Sequence, residues 1–99
     1  MPDLTERIGV EIFRFNATGE TLVGILTEID TIDISGRPTI RYTFQDTEQS
    51  RWYSLLGTVD LNKKIRKSDI GKLLEVRFDG LDTRAGKYPI KRFRVFGQQ

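Results

Sequence analysis

Asp60-Leu61-Asn62-Lys63-Lys64-Ile65-Arg66-Lys67 decides how this chain is read, because here the two-residue apolar period that runs through most of it breaks down. Leu61 and Ile65 stand four residues apart, the spacing of one helical face. One or two helical turns are therefore expected, their apolar side plugging a sheet or barrel. Asp60 is placed to cap the first turn. On both sides of this segment the pattern is that of strands.

Upstream, Ile8-Gly9-Val10-Glu11-Ile12-Phe13-Arg14-Phe15 reads as a first strand, ended by the turn composition Asn16-Ala17-Thr18-Gly19. Thr21 to Ile34 is a long second strand. One parity carries Val23, Ile25 and Ile29, and the other Leu22, Gly24, Leu26, Glu28 and Asp30, as expected if one face stays buried and the other becomes solvated. Gly24 is a candidate bend. After Ser35-Gly36-Arg37-Pro38 the chain returns over Thr39 to Gln45, with Ile40, Tyr42 and Phe44 on one side, which predicts an antiparallel hairpin. Arg51 to Leu56 either continues that pairing or forms a short strand of its own.

Downstream, Leu74, Val76 and Phe78 share one face of a strand, and Tyr88 to Phe96 forms the last strand. The polar, Gly-containing connection Asp79 to Lys87 suits a mobile binding loop. Three strands, a short helix and two further strands fit a small barrel better than an open sheet, whose bare edges invite aggregation. The expected fold is mostly β: a five-stranded OB-like β-barrel with one short helix between strands 3 and 4. It spans residues 1–99 as one domain, with 1–6 and 97–99 free to fray.

The net charge of +2 conceals a dipolar chain. Residues 1–50 carry four basic and nine acidic side chains, a balance of −5, whereas residues 51–99 carry twelve and five, a balance of +7. Cations gathered on one surface offer a track to a polyanion, and nearby rings can stack on unpaired bases. Catalysis starts at a disadvantage. There is no cysteine and no histidine, so the thiolate nucleophile and the commonest neutral-pH base are missing. Glu28, Asp30 and Asp33 lack the ordered spacing of a calcium loop, so no metal or other cofactor is expected. The start shows no signal-peptide pattern and no stretch is apolar enough to span a membrane, so a soluble, cytoplasmic protein is expected.

The segments Leu56-Gly57-Thr58-Val59-Asp60-Leu61-Asn62-Lys63-Lys64-Ile65, Asp69 to Gly80, and Gly86-Lys87-Tyr88-Pro89-Ile90-Lys91-Arg92-Phe93-Arg94-Val95 bring a family into view. They resemble small single-stranded DNA-binding proteins of bacteriophages and mobile elements: an Ile-Gly-Lys turn before a strand, a charged Gly-containing loop, and a closing aromatic-basic strand. The likeness covers residues 56–96 and implies an oligonucleotide-binding barrel acting in replication or recombination, with replication or recombination proteins as further partners. No acidic, Gly-rich tail follows, so tail-mediated recruitment is not implied.

Candidate contacts follow from the residue types. Arg41, Arg51, Arg77, Lys87, Lys91, Arg92 and Arg94 are expected to meet phosphates, which strengthens binding without selecting sequence. Trp52, Tyr53 and Tyr88 are the candidate stacking rings. Trp52 and Tyr53 are adjacent on a strand and must face opposite sides. Tyr42 and Phe44 belong with the core, and the Lys63–Lys67 run reads as a solvated helix face. The expected function is non-enzymatic, largely sequence-independent binding of single-stranded DNA, with RNA left open. A homo-oligomer would align several basic faces. The alternative is a small β-barrel protein–protein interaction or assembly module that binds no nucleic acid.

Overall fold

The computed structural model describes residues 10–46, 51–84, 86 and 88–97. Six strands form one sheet: β1 (Val10–Ile12), β2 (Thr21–Ile34), β3 (Arg37–Gln45), β4 (Trp52–Leu56), β5 (Leu73–Asp82) and β6 (Ile90–Gly97). Helix α1 (Val59–Lys64) and a 3₁₀ turn (Lys67–Asp69) lie between β4 and β5. The spatial order is β1-β4-β3-β2-β5-β6, with β1 parallel to β4 and every other neighbour antiparallel.

The mostly β expectation holds in the five antiparallel strands β2 to β6, with the helix after the third of them. Three details differ: the first strand, the closure and the end of β6. The expected first strand over 8–15 is a strand only at Val10–Ile12, and Ile8 and Gly9 lie outside the described residues. Of the two readings of 51–56, continued pairing holds, since Trp52–Leu56 lies antiparallel to β3. Closure is absent: no pairing joins β1 to β6 among the described residues, so the sheet is open. Gly97, expected to fray, instead ends β6 opposite Leu74. The other expected frayed residues, 1–6 and 98–99, lie outside the described residues.

The β2–β3 turn is tighter than its composition implied. Ser35 (φ 51°) and Gly36 (φ 84°) form a two-residue turn with both φ values positive, the geometry whose twist matches the strands it joins. Pro38 therefore falls inside β3, opposite Asp33. It is tolerated there because β4 pairs with β3 only from Arg41 onward, so no ladder bond needs its missing N–H.

A β-bulge between Leu26 and Glu28 rearranges the faces of β2. An extra residue reverses the alternation, so the core face holds Leu22, Gly24 and Leu26 before the bulge and Ile29 after it. Val23 and Ile25 share the outer face with Glu28 and Asp30. Gly24 marks a close approach, since a Cβ there would meet the Gln45 carbonyl oxygen at 2.9 Å.

The core joins Leu22 and Leu26 to Tyr42 and Phe44, Leu55, Leu74, Val76, Phe78 and Phe93. Leu61 and Ile65 plug it from the helix, as their spacing predicted. Thr58, rather than Asp60, caps that helix: its Oγ1 accepts the Leu61 N–H at 3.3 Å. The buried Tyr42 hydroxyl donates to Asn62 Oδ1 at 2.6 Å, and burial raises its pKa.

Asp60 performs a different task. Its Oδ2 accepts the Phe93 N–H at 2.7 Å, while Lys64, one turn on, donates Nζ to the Phe93 carbonyl at 2.5 Å. Phe93 turns these backbone groups away from β5, and the helix satisfies them as a neighbouring strand would. Charged side chains thereby blunt an otherwise bare edge of β6.

Candidate nucleic-acid interface

Register places the outward-facing side chains in rows. Trp52, Gln45, Ile25 and Leu73 form one row across β4, β3, β2 and β5. The next holds Val23, Glu75 and Phe96, and the one after it Thr21, Arg77 and Arg94. Val23 is 47 % exposed, Phe96 46 % and Leu73 37 %, so this outer face is unusually apolar for solvent-facing sheet. The Arg77 guanidinium sits 5.2 Å from the Phe96 ring centroid, a cation–π contact.

Most candidate cations on this surface already face a carboxylate. Arg41 forks onto Asp30, its cross-strand neighbour, through Nε–Oδ1 at 3.0 Å and Nη2–Oδ2 at 2.5 Å. That hydrogen bonding raises the Arg41 pKa against the opposing effect of burial. Arg77 pairs with Glu75 at 2.9 Å and Arg94 with Asp79 at 2.8 Å. Arg92 bridges two carboxylates, Asp60 and Asp82, each at 3.2 Å, and both raise its pKa.

The two acidic partners of Arg92 respond accordingly. Burial pushes the Asp60 carboxyl up, but Lys64, the Phe93 N–H and Arg92 outweigh it and the net shift is downward. Asp82 falls from 3.8 to about 2, first through the Arg84 N–H, then through the Arg84 side chain, with Arg92 adding to it. Asp82 thus fastens the start of the β5–β6 connection to β6. This link runs from the helix through Arg92 to the loop.

The remaining candidates divide by place. Arg51 is exposed just before β4, and Trp52 is half-buried on the outer face. Tyr53 turns inward, edge-on to Phe13 with ring centroids 6.0 Å apart. The adjacent rings do lie on opposite faces, but Tyr53 serves the core periphery. Tyr88, 79 % exposed, projects from the β5–β6 connection. Lys91 is exposed on β6 with no ion pair among the described residues. Lys87 lies outside the described residues. The structure unites Arg77, Arg94 and Phe96 in one cluster, whereas Trp52 stands three strand spacings from Leu73, roughly 14 Å across the sheet.

Reading the sequence missed Phe13, Arg14 and Phe15. They leave the sheet after β1 and cross the open seam, where Phe15 packs on Phe78 and Phe93 with centroids 5.8 and 5.5 Å away. There the segment after β1 and the end of β4 face α1, β5 and β6 across a cavity of about 290 Å³. The signal was present: Phe-Arg-Phe is the same aromatic-basic alternation that drew attention to β6.

Among the described residues no cluster of acidic side chains is arranged to hold a metal, and no helix is long and apolar enough to cross a membrane. No family model matches this chain, and neither a curated protein nor a solved structure does.

Proposed function

We propose that the protein binds single-stranded DNA, without catalysis and with little sequence preference, through the outer face of β5 and β6 and the adjoining seam. One observation carries this reading: the exposed Phe96 ring lies beneath Arg77, with Arg94 opposite Arg77 in the strand register. A ring flanked by two cations suits a base and its neighbouring phosphates. The ion pairs do not oppose it. Surface pairs are worth about 0–1 kcal/mol, and Arg94 has committed only Nε of its five N–H donors to Asp79.

The architecture adds support. The order β4-β3-β2-β5-β6, with a helix after the third antiparallel strand, is compatible with an opened oligonucleotide-binding barrel, and on this reading β1 and the Phe13–Phe15 crossing stand where the closing contact would be. The resemblance over residues 56–96 points to replication or recombination in a phage-like or prokaryotic element. Several copies aligned on one strand would compensate for the modest net charge.

Titration with a single-stranded thymidine oligonucleotide, followed by Trp52 fluorescence and by anisotropy of a labelled strand, tests the proposal. Binding is expected to weaken with salt at a log–log slope of about −1.4 for the two phosphate contacts of Arg77 and Arg94. No association at low salt overturns it. The exposed Val23, Leu73 and Phe96 favour a second reading, a protein-assembly surface; concentration-dependent self-association without oligonucleotide binding would select that one.

A further inference from the structure

The seam cavity differs from the rest of the surface in its charge. Arg14 and Lys91 stand at its lining, which includes no carboxylate, and neither has an ion pair among the described residues. The groove along the β5–β6 connection is the opposite case, with Asp79 and Asp82 set against Arg84 and Arg92 and paired with cations. Glu20, whose carboxylate accepts the N–H groups of Asn16 and Ala17, does not line the seam cavity.

Its walls are aromatic. Phe13 and Phe15 meet edge to face at 4.9 Å, and Phe15 leans on Phe93, so the rings are braced before any ligand arrives. The volume, about 290 Å³, lies just below the range of about 300–1,000 Å³ typical of small-molecule sites, which suits one ring system. One polar group is also available. The exposed Asn16 carboxamide has no partner among the described residues and offers two donors and an acceptor, the complement of a base edge.

We propose that this cavity is a slot for one unpaired nucleobase, with Arg14 and Lys91 holding the adjoining phosphate and Asn16 meeting the polar edge of the base. The proposal rests on the nucleic-acid reading above and deepens it. A strand crossing Phe96 and Arg94 meets Lys91 further back along the same β-strand, so one nucleotide can turn into the seam while its neighbours stay on the outer face. Unpaired cations favour this position, because a phosphate placed here displaces no carboxylate.

The test is a nuclear magnetic resonance titration of the ¹⁵N-labelled protein with thymidine monophosphate, beside inorganic phosphate and thymidine as separate arms. Saturable shifts at Arg14, Phe15, Thr58, Lys91 and Phe93 are expected with the nucleotide. Affinity should fall about tenfold in Lys91→Glu and further in Arg14→Glu/Lys91→Glu, both at exposed positions compatible with folding. Equal shifts with inorganic phosphate would reduce the slot to an anion site and overturn the base-binding claim. Oligonucleotide binding that leaves these amides unmoved overturns the slot and spares the proposed function. Nucleotide shifts here without oligonucleotide binding would support the slot and reject the strand-binding reading.

Discussion

On the outer face of the sheet, Arg41, Arg77 and Arg94 each lie against a carboxylate, whereas at the open seam Arg14 and Lys91 stand beside phenylalanine rings with no ion pair among the described residues. A tally of charges treats these cations as equal. Their surroundings do not. A paired guanidinium must share or release its carboxylate to take a phosphate, while an unpaired one offers all its donors at once. Apolar walls strengthen the contrast, because charge beside a poorly hydrated surface is less screened than charge in open solvent.

The strongest way to break this contrast is to disturb the element that holds the two regions together. Asp60 is 3 % exposed and joins α1 to β6 through Lys64, Arg92 and the Phe93 N–H. Asp60→Ala leaves that N–H without its acceptor and takes one of two partners from each of Lys64 and Arg92, which keep the Phe93 carbonyl and Asp82, and about 2–4 kcal/mol of stability should be lost in urea unfolding. A change below about 0.5 kcal/mol would show that the clamp is dispensable. The same carboxylates predict the acid limb. Asp60 and Asp82 have lowered folded pKa values, so their stabilisation is present above the ordinary carboxylate value and disappears as pH falls through the folded one. For Asp82 the window runs from 3.8 to about 2, and unfolding midpoints should be flat at neutral pH and decline across it.

Phe96→Ala sharpens the comparison from the other side. The ring is 46 % exposed and lies outside the core, so stability should change little, whereas oligonucleotide affinity should fall by about 1–3 kcal/mol if a base stacks there. Equal affinity would remove stacking from the outer face. Arg94→Ala should lower the salt slope by about 0.7, the contribution of one phosphate. Lys63→Ala, on the solvated face of α1, should leave both stability and affinity within about 0.5 kcal/mol of the parent.

Much of this arrangement can be traced to local pattern. Leu74, Val76 and Phe78 alternate into the core, Tyr42 and Phe44 do the same from β3, and Leu61 with Ile65 forms the helical plug. These readings succeed because side-chain direction follows a period of two or about 3.6 within a single element. The bulge after Leu26 is harder to anticipate. Nothing in Thr27 announces an extra residue, yet it moves Ile29 to the face occupied by Leu22 and Leu26.

The site was less legible for a related reason. The ion pairs Arg41–Asp30, Arg94–Asp79 and Arg92–Asp60 join residues 11, 15 and 32 positions apart. Their formation depends on strand register and on the helix folding against β6. Asp60 resembles a helix cap from its neighbours alone, and only the fold reveals it as the acceptor for a strand edge. Phe13-Arg14-Phe15 alternates like a strand but crosses a seam, because β1 ends at Ile12.

Equilibrium binding of a labelled single-stranded oligonucleotide to the parent protein and to two folded charge reversals, Arg94→Glu and Arg41→Glu, tests the central claim most directly. Salt-sensitive binding by the parent is expected, with a loss of about tenfold or more in Arg94→Glu and a much smaller loss in Arg41→Glu, whose guanidinium is already forked onto Asp30. Equal losses in the two variants, or a parent protein that binds no strand at low salt, would contradict it.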